Sequence, residues 1–229
     1  MSRPAVQVPR RSTRDRIVDA AIELFNDEGI AAVTTNHVAT AAGLSPGNLY
    51  YHFANKEEII REAFERVNAE ADALWSGTSK ADVGSFHQML VGNLGLFTRY
   101  AFIARELPAL LRADPVLRAR YGDIAERRMV QLESLLRPFI ASGIVRDLDD
   151  ADDLRALVET AWVLALFCIP YAETLDAGAT PRTARAKTER LHAAIERGAL
   201  LVLHLLRPHL EPLAYAALVV LVRSSFDAS

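Results

Sequence analysis

The chain has 229 residues, is 51% hydrophobic but only 7% aromatic, carries a formal charge of −3, and holds one cysteine, Cys168. That apolar share excludes a disordered chain, and the lone cysteine excludes an intrachain disulfide framework or a cysteine-based zinc site. A core poor in aromatics and rich in Leu, Ala, Val and Ile suits helices better than sheets, so an all-α fold is expected.

Residues 1–16 hold Arg3, Arg10, Arg11, Arg14 and Arg16 against Asp15 alone. No apolar stretch of a signal peptide interrupts them, and a cytoplasmic setting is expected. With Pro4 and Pro9, residues 1–12 read as a flexible basic arm. Such an arm on an acidic protein either holds phosphates locally or only solubilises.

The first helix starts near Ser12 or Thr13. Ile17, Ala20, Ala21, Leu24 and Phe25 form one apolar stripe, and Gly29 is placed for a left-handed end. Thr34 or Thr35 caps the second helix, with Val38, Ala39 and Ala42 inward. Gly43 turns the chain. Ser45 then caps a short third helix with Pro46 at its first position, where a missing N–H costs nothing. Leu49 and Phe53 face inward. Asn55 caps the fourth helix, with Glu58 placed as in a capping box. That helix runs through Ile59, Ile60, Ala63, Phe64 and Val67 to about Trp75.

A capped helix, a glycine turn and a second short helix make a helix-turn-helix. Its physical task is to present one helix to the major groove, a slot about 12 Å wide. Leu44, Leu49 and Phe53 anchor the third helix. Pro46, Gly47, Asn48, Tyr50, Tyr51 and His52 are left to face outward.

Here the residues resemble a known pattern. Ile17-x-x-Ala20-Ala21-x-x-Leu24-Phe25, Gly29, Thr34-Thr35, Val38-Ala39, Ala42-Gly43-Leu44-Ser45, Leu49-Tyr50-Tyr51-His52-Phe53 and Asn55-Lys56-Glu57 resemble the DNA-binding domain of TetR-family regulators. The resemblance implies a domain over 13–56 and roles within it. Thr34, Thr35 and Asn36 would touch phosphate. Pro46, Gly47, Asn48 and Tyr51 would meet base edges. Tyr50, His52 and Lys56 would grip phosphate. The third helix has no arginine, so bidentate reading of guanine is not available from it. Specificity would rest on Asn48, apolar contacts, DNA shape, and Arg10 or Arg11 in a minor groove. Plain packing or surface roles for Tyr50, Tyr51, His52 and Lys56 are the bland alternatives.

Past a break at Ser76–Ser79 the pattern stays helical, with helices near 83–101, 102–112, 116–142, 151–176, 182–206 and 210–225. Pro108, Asp114-Pro115, Gly143 with the acidic run 147–153, Gly178–Pro181 and Pro208/Pro212 mark the breaks. Leu107-Pro108-Ala109-Leu110-Leu111, Asp114-Pro115 and Arg127-Arg128 are similar to a subgroup of the family. The resemblance implies that 57–229 is a ligand-binding and dimerisation domain. Met89, Phe97, Tyr100, Trp162, Phe167 and Tyr171, with Glu159 and Thr160 as polar anchors, are the candidate lining of an effector pocket. Such a lining predicts a small apolar or aromatic effector. Leu191, Ile195, Val202 and Leu206, with Gly198 allowing close approach, form a candidate homodimer stripe. Leu213, Ala216, Ala217, Val220 and Leu221 add a second. The apolar stretches 156–172, 199–206 and 213–222 read as buried helices, too short for the roughly 20 residues of a membrane span.

No cofactor, metal or enzymatic site is expected. His37, His52, His87, His192, His204 and His209 form no HExxH, and His204 and His209 straddle Arg207-Pro208. There is no GxSxG and no glycine-rich phosphate loop. The expected function is a repressor that binds a pseudo-palindromic operator as a homodimer and is released by an effector. An activator of the same architecture is the alternative, with a helical enzyme or a partner-binding protein further off.

Overall fold

A computed structural model describes residues 12–76, 81–146, 148, 150–175 and 183–227. The arm with Arg3, Arg10 and Arg11 and the Gly178–Pro181 break lie outside the described residues, as does most of the Ser76–Ser79 break. Within them the regular structure is helical: α1 (Thr13–Glu28), α2 (Thr35–Ala41), α3 (Pro46–His52), α4 (Lys56–Ser76), α5 (Val83–Arg99), α6 (Ala101–Ala113), α7 (Pro115–Ala141), α8 (Ala151–Leu175), α9 (Ala184–Leu206) and α10 (Pro212–Asp227). The order and type of the elements follow the sequence reading.

The chain divides into two compact units, residues 1–66 and 67–229, and α4 runs from one into the other. In the first unit the caps set the helix ends. Ser12 and Asp15 form a reciprocal capping box on α1, and Thr34 and His37 form one on α2, each supplying orphan N–H groups with partners. Ser45 accepts from the Asn48 N–H with Pro46 at the first position of α3. Asn55 accepts from the Glu58 N–H, while Glu58 reaches back to the Ala54 N–H. Gly29 has φ 81°, positive as expected, but its ψ of 153° places it outside the left-handed helical well, in a region that glycine alone populates.

In the second unit α9 packs against α5, α8 and α10, while α6 packs on α7 and α8. Its core joins Phe86, Phe139, Ile169, Ile195, Leu203 and Leu218, with Phe86 and Phe139 edge to face at 5.0 Å. Asp114 caps α7 by accepting from the N–H groups of Val116 and Leu117. Two loops are tied where the Arg146 N–H donates to His209 and the Glu211 N–H to Ile144.

Pro108 does not break a helix, contrary to expectation. It sits inside α6, as Pro138 and Pro170 sit inside α7 and α8. The break falls at Tyr100, whose φ of −113° and ψ of 34° leave the helical region. Buried neighbours on α6 outweigh the one ladder bond a proline removes.

Candidate DNA-binding surface and ligand cavity

The first unit holds α3 by its inner side and leaves the other side bare. Leu49 and Phe53 are fully buried, as are Val38 and Ala39 of α2. Pro46, Gly47 and Asn48 are exposed, Tyr50 is 51% exposed, and Tyr51 is 85% exposed. An aromatic left this bare contributes nothing to a core. Tyr51 meets only the edge of the His52 ring, centroids 5.2 Å apart.

Thr34 and Asn36 are exposed at the start of α2. The Thr34 oxygen caps that helix, accepting from the His37 N–H at 3.2 Å. The hydroxyls of Thr35 and Tyr50 share a hydrogen bond of 2.9 Å, which brings the first turn of α2 beside α3. These candidates supply hydroxyls, two amides and an imidazole.

Lys56 is placed differently. Its ammonium donates to the carbonyls of Ile30 and Val33 at 2.7 and 2.9 Å. Two of its three protons therefore hold the loop before α2.

Two arginines of the basic N-terminal stretch 1–16, Arg14 and Arg16 on α1, also serve the fold. Arg14 donates to the His52 carbonyl at 3.0 Å and to Glu62 at 2.6 Å, with its guanidinium 4.2 Å from the centre of the Phe53 ring. It thus satisfies a carbonyl at the C-terminal end of α3. Arg16 donates to the Ala42 carbonyl at the turn into α3. Gly43 makes that turn at φ 67°, with only 3.4 Å between a built Cβ and the Arg16 guanidinium. Sequence spacing gives no sign of these clamps, since their partners lie tens of residues away.

The second unit encloses a cavity among α4, α5, α7, α8 and α9. The space open to the centre of a water-sized sphere is about 130 Å³, roughly ten times what one water needs. Met89, Phe97 and Trp162 line it as expected. So do Trp75, Phe86, Asn93, Leu136 and Cys168, among others.

Five expected lining residues are elsewhere. Tyr100 is buried, but its hydroxyl donates to Glu70 at 2.7 Å. Glu159, Phe167 and Tyr171 are exposed on the outer side of α8. Thr160 is exposed too, its hydroxyl donating to the Ala156 carbonyl at 2.8 Å. The inner side carries Val158, Ala161, Trp162, Ala165 and Cys168. Residue type alone does not fix the phase of the helix, which puts positions four apart on one side. Burial pushes the Cys168 thiol above its usual range, partly offset by backbone hydrogen bonds, so it is a poor nucleophile.

The expected dimer stripe on α9 is also corrected. Ile195, Val202 and Leu206 are buried in the core of their own chain, with Leu191 packed against it. Gly198 permits a close approach, but to α8: a built Cβ would lie 2.5 Å from the Cys168 Cβ and 2.7 Å from its sulfur. Gly198→Ala is expected to cost about 1–3 kcal/mol in urea unfolding through overpacking, more than the ~1 kcal/mol alanine adds to a helix. Adding Cys168→Gly should restore stability. Cys168→Ala should not, because the clashing Cβ remains.

α8 differs from expectation in one more way. Residues Asp153–Leu175 are long and apolar enough to cross a membrane by length and composition, with only 28% of the most apolar stretch buried. It is therefore not a fully buried helix. Val163, Phe167, Tyr171 and Leu175 recur every fourth residue and are each about half exposed.

These features define a class: an all-helical protein with an N-terminal helix-turn-helix unit and a second unit built around an apolar cavity. A family model described as "Bacterial regulatory proteins, tetR family" matches residues 17–63. A second, TetR, described as "Bacterial transcriptional repressor", matches residues 62–218. The chain belongs to the TetR family of bacterial transcriptional regulators.

Curated relatives are similar over part of the chain. The HTH-type transcriptional regulator AcrR of Shigella flexneri is 34% identical over 55 residues, 24% of this chain and 26% of that protein. The HTH-type transcriptional repressor KstR2 of Mycobacterium tuberculosis is 40% identical over 62 residues, 27% of this chain and 30% of that one. The match thus spans between a quarter and a third of these relatives. A crystal structure of a TetR-family transcriptional regulator from Marinobacter aquaeolei superposes with a TM-score of 0.77 at 28% identity, covering 93% of this chain and 98% of that one.

Proposed function

We propose that the protein represses transcription by binding a pseudo-palindromic operator as a homodimer in the cytoplasm, and that a small apolar molecule in the cavity releases it. The bare outer side of α3 carries the reading: Asn48 and Tyr51 project from a helix whose opposite side is locked into a core. Tyr51, Asn48, Pro46 and Gly47 meet base edges. Thr34, Thr35, Asn36, Tyr50 and His52 meet phosphates, with the remaining proton of Lys56 beside them. Titration of a labelled promoter fragment at several salt concentrations tests this. The expected result is tight binding to one palindromic stretch, weakening steeply with salt. Equal affinity for every duplex would overturn it, and a reporter strain lacking the gene separates repressor from activator.

The dimer follows from the outer side of α8. Four large apolar side chains one turn apart on α8, each about half exposed, need cover. A second copy supplies it by symmetry, and two recognition helices then meet half-sites one turn of DNA apart. Phe167→Glu should convert the dimer to a monomer in sedimentation velocity, whereas Val220→Lys on α10 should leave it dimeric. The reverse pattern would move the interface to α10. Loss of the wild-type protein into membrane pellets would assign α8 to a bilayer instead.

The switch runs through α4. Occupancy of the cavity displaces the Trp75 end of α4, and the helix carries that displacement into the first unit. Operator affinity falls because both half-sites no longer fit together.

A further inference from the structure

The cavity wall specifies more than an apolar occupant. Resting on the reading of residues 67–229 as an effector domain, we propose that it takes an uncharged, largely apolar molecule with a single hydrogen-bonding group, and that Asn93 reads that group. Among the described residues, no charged side chain lines the cavity. The acidic candidate, Glu159, points away from it. Arg155 on the same helix is occupied by Glu126 and Glu133.

Arg128 lies behind the Trp75 wall, and it is screened. Its guanidinium lies 4.6 Å from the centre of the Trp75 ring, and its N–H groups are taken by Asp72, Asn68 and Gln131. A carboxylate or phosphate entering the cavity would lose its water and meet no partner. An ammonium group would fare the same. Burying a charge unpaired is far costlier than burying a hydroxyl that keeps one bond.

Asn93 supplies that one bond. Its amide nitrogen donates to the Met89 carbonyl at 2.7 Å, and its oxygen accepts from the Trp75 indole at 3.2 Å. A primary amide has two protons and two lone pairs, so it can still donate once and accept once. That pair of functions fits a hydroxyl or a carbonyl. The other indole in the wall, Trp162, neighbours the Tyr121 hydroxyl.

The protein carries its own reporter, because Trp75 and Trp162 are its only two tryptophans and both line the cavity. Two probes share a skeleton and differ by one sulfonate: neutral N-phenyl-1-naphthylamine and anionic 8-anilinonaphthalene-1-sulfonate. The neutral probe should quench tryptophan emission of the full chain by energy transfer, at least tenfold tighter than the anion. Ala161→Phe, which fills the wall, should weaken it at least tenfold. In competition against the bound probe, 2-naphthol should exceed naphthalene at least fivefold, and Asn93→Leu should abolish that preference.

The failures are separable. Equal or tighter binding of the sulfonate would overturn the uncharged class while leaving the cavity standing. An unchanged naphthol preference in Asn93→Leu would remove the anchor. Absence of quenching, or quenching that survives Ala161→Phe, would overturn the effector cavity itself.

Discussion

Arg128→Ala is expected to destabilise the second unit by about 2–5 kcal/mol, the range seen when a large buried side chain is cut back to alanine. The side chain is 1% exposed although it sits on a helix that is polar along most of its length. It donates to the Asn68 carbonyl at 2.7 Å and to Gln131 at 2.8 Å, pairs with Asp72, and stacks on Trp75. Truncation leaves acceptors on α4 with no donor, and an empty volume beside the indole. Arg128→Met refills that volume, and Asp72, itself partly exposed, can rehydrate. The methionine variant should therefore lose less than half as much. Urea unfolding followed by tryptophan emission measures both, and equal losses would show that the charge and its hydrogen bonds, not packing, hold α4 there.

The same network sets an acid limb. Burial raises the Asp72 carboxyl, but hydrogen bonds from Arg128 and Gln131 and the charges of Arg128 and Arg127 outweigh it, leaving the net value below the ordinary 3.8. A carboxyl depressed by folding contributes stability above its ordinary value, and that stability is lost as pH falls through the folded one. In Arg128→Met this part of the acid limb should flatten.

What the sequence discloses here depends on distance along the chain. Helix ends were legible because caps are local: Ser12, Thr34, Ser45 and Asn55 each act on an N–H three residues on. The inward set of α3 was legible because Leu49 and Phe53 are one turn apart. The clamps on α3 were not. Arg14 reaches His52 across 38 residues, and Lys56 reaches back 26 to Ile30; a charged residue on an amphipathic helix reads as solvated until its partner is known. Trp75 and Asn93 were missed in the cavity for the same reason. On α8 the residue types were right and the phase wrong. A helix apolar nearly all round offers no polar stripe to fix which side faces in, and Phe167 and Tyr171 were placed inside because they are large.

Tyr51→Ala is the second large effect. At 85% exposure the ring is covered by nothing but the edge of His52, so removing it should change unfolding stability by no more than about 0.5 kcal/mol. Its loss must then appear on DNA. α3 contains no arginine or lysine, so it has no charged fork with which to read guanine, and a larger share of discrimination falls on Tyr51 and Asn48. A lost base contact costs about 1–3 kcal/mol, and a dimer loses it in both half-sites. Affinity for the operator should fall at least tenfold, while affinity for unrelated duplex should change by less than about twofold, since phosphate contacts supply nearly all of the latter. The slope of affinity against salt should stay constant, because no ionic contact is removed. Parallel losses on both duplexes with a shallower slope would place Tyr51 on the backbone. Sequence would then be read through the shape of the DNA rather than its base edges.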